Sequence, residues 1–393
     1  MFDAISLTLF AAAATGLTIL ALQLVTLRLH LRRPPKRMTS ARPISILKPL
    51  CGVDDDLENN LEHFATLDYP SYELLLGVRS PSDPAYPLAL ACASRHPERV
   101  RVIVQRGEPG LNPKVNQLIT LEREARFGIV VVSDSNVRVR PGYLDEIAAN
   151  LEDPTVGLVT HPIAGVGEQR LGSLLDNLHL VTHCAPGTIS AKLLAGRDIV
   201  VGKSMAMRRI DVARLGGFAS VKDVLAEDYV LGLAVGRKLR KSVSLGAPIE
   251  NVSERRPLSH FVSRYHRWSV LQRKMVGLPA YLAQLLLNPI VLALLGLAAA
   301  PNTTSLLVFA GICATKIMID ATCGLLLRDG FRLLGLAAIP LKDVIVAWAW
   351  LVGLVRDTVE WRGNRLVVLE GTRLASSEGE VDFGDAQAEP EVA

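Results

Sequence analysis

The sequence predicts an α/β domain with a mainly parallel sheet, set between apolar helices long enough to cross a bilayer. Three observations predict it. Short apolar runs alternate with helix-length stretches between residues 43 and 250, as they do in chains of βαβ units. Apolar segments of about twenty residues or more, the length that spans a membrane, lie on both sides of that region. The composition is divided: 49% of the residues are hydrophobic at a mean hydropathy of +0.28, yet 21% are charged. That is too apolar for a plain soluble enzyme and too charged for a chain wholly in lipid. The 393 residues leave room for one large domain plus membrane segments, or for two ordinary domains.

The first element, in residues 1–33, is an anchor. Residues 4–29 carry no charge before Arg28, and the run ends in Arg28, Arg32, Arg33, Lys36 and Arg37. The positive-inside rule places such a cluster in the cytoplasm. A cleaved signal peptide has its charges before the apolar run, so a retained anchor is expected. Residues 40–275 form the soluble domain. Its predicted strands are Ile44–Leu47, Tyr72–Val78, Val100–Val104 and Gly128–Ser133, with helices over 54–66, 84–96 and 112–126. In open sheets of this kind the ligand sits beyond the carboxyl ends of the strands. Polar residues follow three of these ends, at Lys48, at Arg79–Asp83 and at Asp134–Asn136.

Membrane segments return over residues 278–357. Leu278–Ala300 and Ser305–Leu327 read as two spans. A third apolar stretch, Leu333–Val355, contains Lys342 and Asp343; charges are costly in lipid, which marks it as an interfacial or re-entrant helix. Residues 358–393 form a C-terminal segment whose acidic tail, after Ser376, is expected to be disordered. Five scattered cysteines with no C-x-x-C argue against a zinc site and against a disulfide framework. A net charge of +4 without a basic, aromatic-laced stripe does not point to nucleic acid.

Four groups of residues carry the chemistry. Asp134-Ser-Asn136 follows an apolar strand directly, so its carboxylate points into the ligand crevice; an acid there can hold a divalent ion, because hard cations take oxygen ligands. The same triplet also suits a plain turn. Glu227-Asp228 opens a helix, either as dipole partners or with Asp228 as a general base. Arg264 and Arg267 stand three residues apart on one helix face, followed by Trp268. Guanidinium groups suit phosphate and can stabilise a leaving diphosphate, although a basic helix lying on anionic lipid has the same composition. Lys114, near a helix start in Gly110-Leu-Asn-Pro-Lys-Val-Asn116, is placed to meet phosphate. Gly202-Lys203-Ser204 lacks the upstream glycine of a P-loop. His183-Cys184 has nothing nearby in sequence to orient a thiol nucleophile.

The segments Leu47-Lys-Pro-Leu-Cys-Gly52, Gly110–Asn116, Ser133-Asp-Ser-Asn-Val-Arg138, Val201-Gly-Lys-Ser-Met-Ala206, Ala226-Glu-Asp-Tyr229 and Arg264-Tyr-His-Arg-Trp268 together resemble the ceramide glucosyltransferases, in their bacterial branch. These are enzymes of the GT-A fold related to glycosyltransferase families 2 and 21. The similarity runs from about residue 40 to 275. It implies inverting transfer of a hexose from a UDP-sugar, UDP-glucose above all, to a lipid hydroxyl such as that of ceramide. It also implies an integral protein of the bacterial inner membrane with its catalytic domain in the cytoplasm. On the matching positions Asp228 is the base, and Arg264, Arg267 and Trp268 are the Q/R-x-x-R-W block. His183 lies near the active site, Asp83 contacts the uridine, Lys114 and Asn116 belong with the donor, and Asp134 holds Mg²⁺ or Mn²⁺. Two departures stand out: Ser82-Asp83-Pro84 keeps one acid where the family often has two, and Asn136 replaces the last acid of Asp-x-Asp. The second leaves metal dependence open. A hopanoid or diacylglycerol acceptor, a processive polysaccharide synthase and a non-catalytic membrane scaffold are the alternatives.

Overall fold

The computed structural model describes residues 3–361 and 364–376. In chain order it contains α1 (Ala4–Leu31), β1 (Ile44–Pro49), α2 (Leu57–Ala65), β2 (Tyr72–Val78), α3 (Tyr86–Arg95), β3 (Val100–Val104), α4 (Pro113–Glu124) and β4 (Ile129–Ser133). There follow β5 (Val137–Arg138), α5 (Tyr143–Glu152), β6 (Val156–Thr160), β7 (Ile163–Val166), α6 (Leu171–His179), α7 (Ala185–Ala195), β8 (Ser204–Arg208), α8 (Arg209–Leu215), α9 (Glu227–Leu239), β9 (Ser242–Leu245) and β10 (Ile249–Val252). The last elements are α10 (Leu258–Val276), α11 (Leu278–Ala283), α12 (Pro289–Ala299), α13 (Thr303–Leu327), α14 (Ile339–Val355), β11 (Thr358–Trp361), β12 (Asn364–Val368) and β13 (Leu374–Ser376).

The central sheet has seven strands in the order β3-β2-β1-β4-β8-β6-β9. Strands β1, β2 and β4 are buried along their whole length, so they read as mainly apolar runs rather than alternating ones, with Ser45, Lys48 and Glu73 as the polar exceptions in β1 and β2. Two cores flank the sheet. One packs α2, α3 and α5 under residues such as Ile46, Leu74 and Val131; the other packs α4, α8 and α9 over Leu47, Leu75 and Val132. The predicted strands and helices of this half are all present, within a few residues at each end. The sheet is mainly parallel, as expected, with one inversion: β8 runs antiparallel to both β4 and β6. That reversal brings the start of β8, at Gly202–Ser204, back beside the carboxyl end of β4.

Among the described residues, three helices are long and apolar enough to cross a membrane: α1, α13 and the stretch Leu333–Val355. Residues 278–299 correct the expectation of one straight span. They form two pieces, Leu278–Leu287 and Pro289–Ala299, bent by 78°. Pro289 has no N–H to continue the ladder and disfavours helix at the residue before it, and the Asn288 side chain caps the second piece by accepting from Val291 N–H. Leu333–Val355 is also changed from the expectation. It opens with a tight 3₁₀ stretch, Leu333–Ala338, and then runs as α14. Lys342 and Asp343 lie in the first turns of α14 and are buried against protein, which removes the objection to a spanning helix. A small sheet, β11-β12-β13, was not anticipated. It packs on α10 through Val359, Leu366, Val368 and Val270. The expected disordered tail lies outside the described residues.

Candidate active site

Five chain segments converge at the carboxyl end of the parallel strands. Strand β1 carries Lys48 one residue before its end, and β4 ends in Ser133 and leads to Asp134. Strand β8 begins after Gly202-Lys203, helix α4 carries Lys114 in its first turn, and α9 starts at Glu227. Asn112 sets the start of α4 by accepting from the N–H groups of Lys114 and Val115, an ordinary N-cap. Its amide donates to Val224 O at 2.7 Å, which ties α4 to the loop that leads into α9.

Three lysines surround Asp134. Lys114 Nζ lies 3.0 Å from Oδ1 and Lys203 Nζ 3.1 Å from Oδ2, while Lys48 Nζ donates to the Asp134 carbonyl at 2.6 Å. Burial alone would raise the Asp134 pKa, but the two facing ammonium groups outweigh it and hold the carboxyl well below its usual range. Burial would lower Lys114; Asp134, Glu227 and Asp228 overcome that and keep it charged. Lys48 has no such escape, and burial pulls it down to about 7. Lys114 is the hub, since it also pairs with Glu227 at 2.9 Å.

Asp228 lies beside this cluster. Its Oδ2 accepts from Gly202 N–H at 2.6 Å and its Oδ1 from Tyr229 N–H at 2.8 Å. Burial, then the neighbouring Glu227 charge, raise its pKa to about 6, against the pull of Lys114 and the two backbone donors. Gly202 allows the approach, because a Cβ there would sit 2.7 Å from Asp228 Oδ2. The arrangement offers lysines for an anion and, next to them, a carboxylate tuned to accept a proton near neutral pH.

Residues 8–374 match glycosyl transferase family 21. The chain belongs to that family. It is 31% identical over 241 residues to ceramide glucosyltransferase 1 of Caenorhabditis elegans, a match covering 59% of this chain and 50% of the relative. It is 29% identical over 265 residues to ceramide glucosyltransferase 3 of the same organism, covering 66% and 56%. The ceramide glucosyltransferase of Komagataella phaffii is 30% identical over 200 residues, covering 44% and 39%. The chain thus spans about half the length of the curated relatives it matches most fully. Among solved structures, the mannosyltransferase PcManGT from Pyrobaculum calidifontis, in complex with GDP-Man and Mn²⁺, superposes with a TM-score of 0.50 at 19% identity, covering 89% of this chain and 99% of that one. The fold is that of the GT-A glycosyltransferases.

The remaining residues singled out in the sequence fall in different places. Asp83 caps the turn after β2, accepting from the N–H groups of Gly52 and Ala85, each at 2.9 Å. Asn116 does not face the lysine cluster; both ends of its amide are used on the Gly110 backbone, at 2.9 and 2.8 Å. Arg264 is buried against Asp176 at 2.7 Å and lies 4.7 Å over the Trp268 ring. Arg267, one turn on, lines a cavity with His266, Val352 and Arg356. His183 stacks on His179 at 4.6 Å, and burial lowers its pKa to about 4. The Cys184 thiol is pushed up to about 12 by burial, which leaves no thiolate nucleophile.

Among the described residues, no three His, Cys, Asp or Glu side chains converge as metal ligands. A divalent ion bound as Mg²⁺ commonly is, by one or two carboxylates plus substrate phosphates, would have to displace Lys114 or Lys203, whose ammonium groups take both Asp134 oxygens. Asp134 stays ionised at the strand end, and Asn136 Oδ1 lies beside it, 2.6 Å from Lys203 Nζ. Sequence reasoning gave no role to Lys203 or Asp176, and it noted Lys48 and Glu227 without assigning them a partner. Lys48 stood out by position, near the end of a buried strand on the same edge as Asp134.

Proposed function

We propose that this chain is an inverting glycosyltransferase that moves glucose, or a related hexose, from a UDP-sugar to the hydroxyl of ceramide or a similar membrane lipid. The observation that carries the reading is Asp228, held by Gly202 and Tyr229 with its pKa raised to about 6, beside a lysine-rich anion site. Asp228 takes the acceptor hydroxyl's proton as that oxygen attacks the anomeric carbon. The C–O bond to the diphosphate breaks, and the negative charge that develops there meets Lys114, Lys203 and Lys48. Asp134, with Asn136 beside it, would hold a divalent ion, whose chemistry is to neutralise the same diphosphate. Asp83 stands at the end of β2, where the donor base would lie. The named ceramide glucosyltransferases support the lipid acceptor, and Trp268 and Tyr265 line a cavity shared with residues of the apolar C-terminal helices.

We place the protein in a bacterial inner membrane with the domain on the cytoplasmic side. The support is the basic stretch Arg28–Arg37 after α1, together with the bacterial-branch motifs. The test is mass spectrometry of lipids from a host expressing the protein, supplied with ceramide, against an Asp228→Asn control. A hexosylceramide made by the unaltered chain alone supports the reading. A new glycolipid on a hopanoid or diacylglycerol instead would overturn the acceptor, and none on any lipid would overturn the reaction.

A further inference from the structure

The Lys203 ammonium joins two oxygens that belong to different residues. It lies 3.1 Å from Asp134 Oδ2 and 2.6 Å from Asn136 Oδ1. Both acceptors are fixed from behind. The Asn136 amide donates to Asn251 Oδ1 at 3.2 Å and to Val252 O at 3.0 Å, which turns its oxygen toward Lys203. Asp134 is held on its other side by Lys114, 3.0 Å from Oδ1, and through its carbonyl by Lys48. A carboxylate oxygen and an amide oxygen converging on one cation are the donor types that hard divalent ions take. Lys203 thus engages the oxygens that such an ion would use.

The two lysines on Asp134 are not equally free to leave it. Lys114 is tied on other sides as well, to Glu227 at 2.9 Å and to Gly202 O at 3.2 Å. Among the described residues Asp134 is the only carboxylate paired with Lys203. The Lys203 side chain is also the more exposed of the two, 18% against 10%. Its backbone is fixed, because Ser204 pairs with Ser133 across β8 and β4 and Gly202 N–H is bonded to Asp228. Only the flexible stem that carries the ammonium has to swing. A divalent ion arriving by itself meets two ammonium groups and offers them no partner. The diphosphate of a nucleotide changes that, since its oxygens accept from lysine and ligate the ion as well.

We propose that Lys203 is a latch on the donor site. It holds Asp134 and Asn136 in place of a divalent ion and passes to the diphosphate when a nucleotide binds, so that the chain takes up the ion only together with the nucleotide. The inference rests on the nucleotide-sugar reading above and makes Lys203 a positioning residue for that donor. The latch adjoins the base, because Gly202, the residue before Lys203, is the one whose N–H holds Asp228.

The test is equilibrium dialysis of Mn²⁺ against the full-length protein in nanodiscs, with and without UDP at equal concentration on both sides, and with Mn²⁺ read by electron paramagnetic resonance. The unaltered protein should bind Mn²⁺ about tenfold or more tightly with UDP than without it, and by linkage Mn²⁺ should tighten UDP by the same factor. Lys203→Met frees Asp134 Oδ2 and Asn136 Oδ1. It should bind Mn²⁺ without UDP about tenfold more tightly than the unaltered protein, and the coupling to UDP should shrink. Lys203→Arg keeps the charge and should show no such gain. A lysine with a merely structural role would lower Mn²⁺ binding on removal, never raise it. Equal Mn²⁺ affinity with and without UDP in the unaltered protein, a comparison that needs no variant, overturns the proposal. So does a folded Lys203→Met protein with no gain, or an equal gain in Lys203→Arg. Coupling as expected without sugar transfer to any lipid would overturn the proposed reaction and leave the latch standing.

Discussion

The raised pKa of Asp228 makes the pH profile of the enzyme calculable. A general base works in its ionised form, so kcat/KM should fall as pH drops through about 6, tenfold per pH unit on the acid side. The shift from the usual 3.8 to about 6 corresponds to ~3 kcal/mol of disfavour for the charged form. Its causes are burial first and the Glu227 charge second. Glu227→Gln removes that like charge and frees Lys114, now 2.9 Å from Glu227, to act on Asp228. Both changes lower the Asp228 pKa, so the acid limb moves to lower pH. Asp228→Asn removes the base, and a loss of about 10²–10⁴ in kcat is expected, or ~3–5 kcal/mol of barrier. The assay is initial-rate transfer from radiolabelled UDP-glucose to ceramide in detergent between pH 4.5 and 8, with UDP affinity as the control for folding. A flat profile below pH 7, or an Asp228→Asn enzyme that keeps more than about a tenth of its rate, would refute the assignment.

Three further outcomes follow from the packing. Lys114→Met strands Asp134, Glu227 and Asp228 without their shared cation; the expected cost is ~3–5 kcal/mol, read as a fall of roughly 10 °C in Tm with loss of UDP binding. Gly202→Ala puts a methyl group 2.7 Å from Asp228 Oδ2 and should cut kcat by about 10² while Tm changes little, measured by transfer assay and thermal melt. Gly16→Ala places a Cβ 1.9 Å from the Leu286 carbonyl, so α1 must part from the bent segment before α12; a lower detergent-melting temperature is expected, with UDP affinity retained.

The sequence made the parallel half of the sheet readable because β1, β2 and β4 are buried on both faces and leave mainly apolar runs. Strand β8 was hidden, since Gly202-Lys203-Ser204 looks like a loop and its reversed direction depends on pairing with β4 and β6. Asp134, Asp228 and Lys114 stood out by position, at a strand end and in two first helical turns, but position alone left the turn and dipole readings open. Lys203 was passed over because it lacked a phosphate-loop pattern, although the fold turns it onto Asp134. Hydropathy over residues 278–300 averaged across Asn288-Pro289, the dipeptide that breaks the helix. Lys342 and Asp343 were misjudged for a related reason: a linear pattern shows the charges and not the partners on α13 that neutralise them.

The small C-terminal sheet has a consequence for timing. Leu225 N–H donates to Thr372 O at 2.9 Å, and Leu374 N–H to Asp223 O at 2.8 Å. These bonds hold the loop just ahead of Glu227-Asp228, and Lys222 O in the same loop accepts from Asn112 N–H at 2.9 Å, next to Lys114. The clasp therefore comes from residues that follow every apolar helix in the chain. A ribosome must make α13 and α14 before it releases the strand that fastens the loop ahead of Glu227-Asp228. Since chains emerge N-terminal end first, the loop before Glu227-Asp228 gains its bonds to Thr372 and Leu374 only after α13 and α14 have been made.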